Sequence, residues 1–265
     1  MLGKLMKHEF RATGRIGLPL CGIMMALSVV AGMVIRLWSD NLEYGWREQA
    51  GSIIIFLYGL SVFAVGIGIF IVLMQHYKRN LLGDEGYLMR TLPVNIHELL
   101  LSKLFVALLW YIASILLTML SGLVVVFISG EVKLSEFGGL MDVIRDGLAS
   151  TDAYTWLCAF LAYIGGMSLL TLLFYADYAM TQSFSKHKVL YSVIFVVVFI
   201  VLLRLVFWFN SALVASGFGA PYFGSNESGV YVSHGAEVGL IELYLSCVLV
   251  YFITWAFLKY KPNLE

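Results

Sequence analysis

The stretch GDEGYLMRTLPVNIHELLLSK, from Gly83 to Lys103, is polar and carries helix-start signals, although apolar sequence flanks it on both sides. Asp84 suits the N-cap of a helix, and the negative charge of Glu85 in the first turn complements the helix dipole. The helix so begun covers 84–92 and ends before Pro93. The polar stretch therefore predicts a short capped helix between two apolar runs.

A second helix start follows at Asn95, with Glu98 three residues later, which is close to a capping box. This second helix runs directly into the next apolar run. A passive loop does not need two consecutive capped helices. The segment 78–102 is therefore predicted to hold a short helix across the base of two membrane helices, with its exposed face toward a partner in the cytoplasm.

Long apolar runs dominate the rest of the chain. Of its 265 residues, 60% are hydrophobic and 13% are charged, whereas about 25% are charged in soluble domains. Since about 20 apolar residues cross a bilayer, these runs predict an all-α membrane protein with a transmembrane domain over 16–258. The six predicted spans are about 16–38, 51–74, 104–129, 153–181, 189–209 and 240–258.

The basic residues divide unevenly between the two sides that these spans define. Twelve lie on the side of the N-terminus and four on the other side, with Arg204 inside a span. Because cytoplasmic loops carry the excess of Lys and Arg, both termini are predicted in the cytoplasm, including a tail over 259–265. The outer loop 210–239 has neither Lys nor Arg and is rich in aromatic residues, so we expect part of it to fold back against the outer mouth.

Residues 1–15 place Leu2, Leu5, Met6 and Phe10 on one helical face and five basic residues on the other. This pattern predicts an amphipathic helix in the cytoplasmic interface, with its basic face toward lipid headgroups. The alternative is a basic flank that only sets the topology.

Small residues recur at a spacing of four within the spans, which suits close packing of helices inside one chain or between two chains. They are Gly22 with Ala26, Ala64 with Gly68, Ser114 with Thr118 and Gly122, and Ala162 with Gly166.

Motifs for catalysis, nucleotide binding and nucleic-acid binding are absent from the sequence. His97-Glu98 is followed by three leucines, so no second metal ligand lies one turn further on. The chain is therefore predicted to be neither an enzyme nor an ATP-binding protein, and no metal site or nucleic-acid partner is expected.

Three ionisable residues fall inside predicted spans, where each charge costs about 2.5–3.5 kcal/mol near the helix centre. Asp177 either lines a cavity open to the cytoplasm or marks a partly hydrated helix end. Arg204 and Glu242 lie about 24 and 25 Å from the inner surface along ideal helices. At this shared depth they either pair or extend separately to the headgroups. All three are candidates for the translocation path or its gate.

The chain resembles the membrane subunit of ABC-type exporters, in the six-span type-2 permease branch. The stretch quoted above is similar to that family's cytoplasmic loop, Asp-Glu-Gly-Tyr-Leu…Thr-Leu-Pro…Ser-Lys. SFSKHKVL at 183–190 resembles its second inner loop, and KYKPNLE at the end resembles its Lys-x-Asn-Leu-Glu terminus. Within the branch, the chain looks most like exporters of phenol-soluble modulins and antimicrobial peptides.

The resemblance implies a complex in a bacterial plasma membrane. Two identical membrane subunits would pair among the lipids, each seated on a separate ABC ATPase that binds ATP and Mg, so that this chain holds no cofactor. The helix 84–92 would be the coupling helix that enters a cleft on the ATPase. The complex would export amphipathic or hydrophobic cargo, such as peptides or toxins, by alternating access. The coupling residues implied are Asp84, Glu85, Gly86, Tyr87, Leu88 and Arg90.

Two other classes of function remain open at this point. An ion-coupled secondary transporter would use Asp177 as its proton site and would need no partner ATPase. An intramembrane enzyme is disfavoured because the catalytic pairs are missing.

Overall fold

A computed structural model describes residues 2–41, 44–82, 95–130, 138–139, 142, 145–146, 149, 152–183, 188–215, 223–226, 229–232 and 235–260. These residues form six long helices and one antiparallel hairpin. The helices are α1 (Leu2–Asn41), α2 (Tyr44–Leu82), α3 (Ile96–Ser129), α4 (Ala153–Gln182), α5 (Lys188–Ala215) and α6 (Gly235–Tyr260). The hairpin pairs β1 (Phe223–Asn226) with β2 (Gly229–Val232).

The helical fold class predicted from the sequence is confirmed. Five helices are long and apolar enough to cross a membrane, and they contain the segments Gly3–Leu37, Gly51–Leu81, Ile96–Ser129, Ala153–Gln182 and Gly239–Tyr260. The 40 residues of α1 extend about 60 Å, twice the roughly 30 Å of a hydrocarbon core. In α5 the apolar segment Val189–Leu202 is shorter than the other five.

The side chains on the surface of these helices are those that hydrocarbon solvates best. On α2, Phe56 and Phe63 are 69% and 67% exposed, whereas Val65 and Ile69 on the same helix are buried. Exposed apolar patches of this extent mark a surface that meets lipid or another protein. The arrangement is that of a multi-pass membrane protein.

The chain forms two compact units. The N-terminal unit consists of Met6–Gln75 and Leu109–Asp146, and the C-terminal unit consists of Met1–Leu5, His76–Leu108 and Gly147–Glu265. The C-terminal unit therefore holds the end of α2 and the beginning of α3 together with α4, α5 and α6.

Trp110 organises the N-terminal unit. Its indole is 3% exposed, and its Nε1–H donates to Thr13 Oγ1 at 2.9 Å, while its ring stacks on Phe10 at 5.4 Å between centroids. A Cβ atom added to Gly17 would lie only 2.5 Å from Cη2 of this ring. The absence of a side chain at Gly17 therefore allows the tryptophan to lie directly against α1.

The predicted helix over 1–15 is the beginning of α1 and is continuous with the predicted first span. Its basic side chains Lys4, Lys7, Arg11 and Arg15 are exposed, as a headgroup-facing surface requires. The buried side chains are Glu9 and Thr13, whereas Phe10 is 44% exposed. The buried face thus differs from the predicted apolar one, and the interfacial position of 1–15 is not confirmed.

The contact between α4 and α6 is the most extensive between helices of the C-terminal unit, and α4 also packs against α5. A Cβ atom on Gly165 would lie 2.6 Å from Leu243 Cδ2. Across the same contact, the Cys247 thiol donates to the carbonyl of Gly165 at 3.4 Å, and the Tyr244 hydroxyl donates to the carbonyl of Leu161 at 3.1 Å. A glycine and two bonds to backbone carbonyls hold α6 against α4.

Most hydroxyl groups buried in the helices bond to their own helix. The fully buried hydroxyls of Ser28, Ser102, Thr171 and Thr254 each donate to a carbonyl three or four residues earlier, at 2.7–2.8 Å. An exception is the 2.5 Å bond between Tyr58 on α2 and Ser121 on α3.

Parts of the predicted outer loop 210–239 belong to the described residues. Helix α5 extends to Ala215 and α6 begins at Gly235, and the hairpin between them pairs Phe223 with Val232 in antiparallel register. Strand β2 contacts α4, so a part of this loop does fold back on the helices. The hairpin is an addition to the predicted all-helical fold.

Replacing Gly17 by Ala should lower the free energy of unfolding by about 1–3 kcal/mol, as overpacking does elsewhere, because Trp110 must move. Gly22→Ala on the same helix is the matched control, since nothing lies within 4 Å of its added Cβ, and it should be neutral or slightly stabilising. Denaturation of the detergent-solubilised protein measures both. Equal stability of the two variants would contradict the packing described here.

Candidate functional site

The candidate site is the pair of helix ends that flank residues 83–94, the part of the polar stretch that lies outside the described residues. The predicted coupling residues Asp84, Glu85, Gly86, Tyr87, Leu88 and Arg90 lie outside the described residues. Both flanks are described, and both belong to the C-terminal unit. The site is therefore defined by what holds these two flanks.

The flank before the stretch is held by a tyrosine stack, formed by Tyr77 of α2 and Tyr175 of α4. Their ring centroids are 3.7 Å apart and their planes differ by 7°. Both side chains are almost completely buried, at 0% and 1% exposed, and the Tyr77 hydroxyl donates to the Tyr175 carbonyl at 3.4 Å. Aromatic pairs contribute about 0.5–1.5 kcal/mol beyond burial of their area, so the stack fixes the end of α2 on α4.

Two further contacts continue along this flank. The Lys78 ammonium lies 5.6 Å from the ring centroid of Tyr178 on α4, within cation–π range. Asn80 Nδ2 lies 3.2 Å from His76 Nε2, and both Asn80 and Leu81 are buried. The end of α2 is therefore packed up to the point where the polar stretch begins.

The flank after the stretch is held by the His97 cluster, formed by His97 of α3 with Tyr251 and Trp255 of α6. His97 Nδ1 and the Tyr251 hydroxyl are 2.8 Å apart, and the imidazole stacks on the Trp255 ring at 5.0 Å and 18°. The Lys259 ammonium lies 4.7 Å from the centroid of the same indole. The first turn of α3 is thus fixed on α6.

The start of α3 agrees with the sequence signals. Helix α3 begins at Ile96, with the Leu99 N–H bonded to the carbonyl of Asn95 at 3.2 Å and Glu98 in the first turn. Leu99 and Leu100 are buried one turn inside. The predicted second helix start is confirmed.

The two flanks are consequently connected through the protein interior. The stack attaches one flank to α4 and the His97 cluster attaches the other to α6, while α4 and α6 pack closely against each other. A force applied to 83–94 would reach α4 through a buried aromatic stack and α6 through a half-buried aromatic cluster.

Asp177 lies on α4, two residues after the tyrosine of the stack, and is half-buried. Its Oδ2 accepts a hydrogen bond from the Ser192 hydroxyl of α5 at 3.0 Å. Its Oδ1 is buried and has no hydrogen-bond partner among the described residues. The Thr181 hydroxyl, one turn further on, donates to the Asp177 carbonyl and not to the carboxylate.

The other two predicted path residues lie on separate helices. Arg204 on α5 is exposed and Glu242 on α6 is half-buried. Both belong to the C-terminal unit, and their pairing stays a prediction.

Sequence reasoning did not select Tyr77, Tyr175, His97 or Tyr251. For His97, the sequence motif bears only on a metal site, which the missing second ligand disfavours. The sequence does contain one signal for these residues: each is an aromatic side chain within about three helical turns of a basic residue at the inner boundary. Among the described residues, no three His, Cys, Asp or Glu side chains are grouped so that they could hold a metal ion.

No family model, curated protein or solved structure matches the chain. Its function is therefore inferred from the residues and contacts described above.

The tyrosine stack gives a graded prediction. Tyr77→Phe keeps the ring contact but loses the hydroxyl bond, so it should cost about 0.5–1.5 kcal/mol of stability. Tyr77→Ala should cost about 3–5 kcal/mol, because it also leaves a cavity. The control Tyr260→Phe, at an exposed tyrosine of α6, should stay within about 0.5 kcal/mol. Denaturation in detergent measures all three, and equal losses for the two Tyr77 variants would contradict a role of the stacked ring.

A double-mutant cycle tests the pairing of Arg204 with Glu242. If the charges interact, Arg204→Ala and Glu242→Ala should each destabilise the protein, and the double variant should lose less than the sum. Additivity within about 0.5 kcal/mol would mean that the two residues do not interact.

Proposed function

We propose that the chain is the membrane-spanning subunit of an ATP-driven ABC exporter, with the segment 84–92 as its coupling helix. The observation that carries this proposal is the fixation of both flanks of the segment, by the tyrosine stack on one side and by the His97 cluster on the other. A loop that only connects two spans needs no such attachment. A loop that transmits force needs it at both ends.

In this mechanism two copies of the chain pair, and each binds one copy of a cytoplasmic ATPase that holds ATP and Mg. Closure of the ATPase pair moves the coupling helix. The stack then carries this movement to α4, and the His97 cluster carries it to α6. Since α4 and α6 pack on each other, they move together and alternately open the path to the two sides of the membrane.

The proposed topology has six spans, with α5 crossing the membrane in addition to the five long apolar helices. Both termini lie in the cytoplasm of a bacterium. The exposed basic side chains of α1, Lys4, Lys7, Arg11 and Arg15, support contact of its first fifteen residues with anionic headgroups. The excess of basic residues in the predicted inner segments supports the same orientation.

The proposed cargo is amphipathic or hydrophobic, such as a peptide or toxin. Polar side chains buried in the spans are mainly hydroxyls that bond to their own helix, which leaves few groups for recognition of a sugar or a small ion. This surface suits a molecule that can bury apolar area along its path.

A second candidate function is ion-coupled secondary transport, with Asp177 as the proton site. The observation that favours it is that Oδ1 of this residue has no hydrogen-bond partner in the described part of the chain. Transport that persists without ATP and without a partner ATPase, and that depends on an ion gradient, would support this function and exclude the first.

The coupling proposal predicts the effect of charges in the segment 84–92. Replacing Tyr87 and Leu88 together by Asp should weaken the complex with the ATPase about 30-fold or more, as expected for the loss of an interface hot spot worth about 2 kcal/mol. Co-purification from membranes that contain both subunits measures binding, and ATP hydrolysis with and without cargo measures coupling.

The control is Gly138→Asp with Gly139→Asp, which adds the same charge to exposed residues of the predicted outer segment. This control should bind the ATPase like the wild type. An intact complex with unchanged transport and hydrolysis in the Tyr87 and Leu88 variant would show that 84–92 is not the coupling helix.

A further inference from the structure

Asp177 has a carboxylate oxygen without a hydrogen-bond partner among the described residues, and it lies in a candidate membrane span, where an unpaired polar atom is costly. It lies inside the candidate span Ala153–Gln182, and one of its carboxylate oxygens is buried without a hydrogen-bond partner among the described residues. Buried polar atoms in folded proteins nearly always have a partner, and an exception asks for a specific explanation. Aspartate within a membrane helix is rare and usually functional.

The surroundings orient the carboxylate but leave this oxygen unpaired. Ser192 donates to Oδ2 at 3.0 Å and so restricts rotation of the carboxylate. Thr181 is committed to the backbone. The Lys78 ammonium, on the neighbouring end of α2, lies over the ring of Tyr178. The described neighbours thus hold Oδ1 in place as an acceptor without supplying a donor.

An apolar side chain on the same face of α4 is partly exposed. Phe174, three residues earlier on α4 and hence on the same helical face, is 38% exposed. An oriented carboxylate next to an exposed aromatic side chain provides two complementary contacts for a ligand that carries both a positive charge and an apolar face.

We propose that Asp177 is the recognition residue for a cationic group of the cargo, an ammonium or guanidinium whose N–H donates to Oδ1, with Ser192 as the residue that positions the carboxylate. This inference rests on the proposed export function and narrows its cargo to cationic amphipathic peptides. Phe174 contacts the apolar face of such a peptide. A neutral or acidic peptide leaves Oδ1 unpaired and binds less tightly.

Binding to the purified, detergent-solubilised chain tests this without the ATPase. The probes are a fluorescent amphipathic helical peptide with several lysines and the same peptide with every lysine acetylated. The wild type should bind the lysine peptide about 10- to 100-fold more tightly, which is the range for a hydrogen bond to a charged group. Asp177→Asn should remove this difference, and Asp177→Glu should retain most of it.

Asp152→Asn is the matched control, because Asp152 precedes the first residue of the same helix, is exposed and makes no side-chain capping bond. It should show the wild-type preference. Melting temperatures establish that each variant is folded. If Asp177→Asn does not fold, the test is the preference of the wild type for the lysine peptide over the acetylated one. This preference should be weaker in Ser192→Ala, and an unchanged preference there would contradict the inference.

Equal binding of the two peptides by the wild type, or a preference that persists in Asp177→Asn, overturns the inference. If replacing Asp177 alters only the effect of sodium or of a proton gradient on transport, the inference is also overturned. ATP hydrolysis by the reconstituted complex distinguishes failure of the cationic site at Asp177 from failure of the proposed exporter function. Stimulation by both peptides alike rejects only the cationic site, whereas the absence of an ATPase complex rejects the exporter.

Discussion

Hydrocarbon offers no hydrogen bonds to a polypeptide backbone, and the architecture of this chain follows from that constraint. Each crossing segment must satisfy its own N–H and C=O groups, so the apolar sequence forms long uninterrupted helices. The helices cannot gain stability from burying apolar side chains, because lipid solvates these equally well. Close contact therefore depends on shape, and it occurs where Gly17 receives Trp110 and where Gly165 receives Leu243.

This dependence on shape explains how far the sequence could predict the fold. Composition alone predicted the helical membrane class and the approximate spans, because the length of an apolar run reports directly on bilayer thickness. The glycines at contacts could be selected only in part by the spacing of small residues. A Cβ added to Gly68 would lie 3.5 Å from Leu20 Cδ1, but Gly17 and Gly165 do not belong to the spaced pairs. Gly22, Gly122 and Gly166 had the expected spacing of four, yet no atom lies within 4 Å of a Cβ added to any of them. Spacing identifies a helical face, whereas the partner of that face is set by the tertiary structure.

At the candidate site, too, local features could be predicted from the sequence, whereas contacts between distant residues could not. Asn95 and Glu98 predicted the start of α3 correctly because capping is a local interaction within four residues. The pairs Tyr77 with Tyr175 and His97 with Tyr251 are separated by 98 and 154 residues, so no local pattern could have joined them. Asp177 was recognisable from its charge within an apolar run, but its unpartnered oxygen depends on what Ser192 and Thr181 contact in three dimensions.

The hydroxyls that bond within their own helix have a mechanical consequence. Ser28, Ser102 and Thr254 are fully buried, and each hydroxyl donates to a carbonyl of its own helix. Rotation or sliding of such a helix past its neighbour leaves these bonds intact, so this polar content adds little friction. The bonds of Tyr77 and His97, in contrast, join different helices and resist shear. Helices can therefore slide past one another along the spans without breaking these bonds, whereas the contacts of Tyr77 and His97 beside the polar stretch hold their helices together. A movement that begins at the polar stretch is thus passed to α4 and α6.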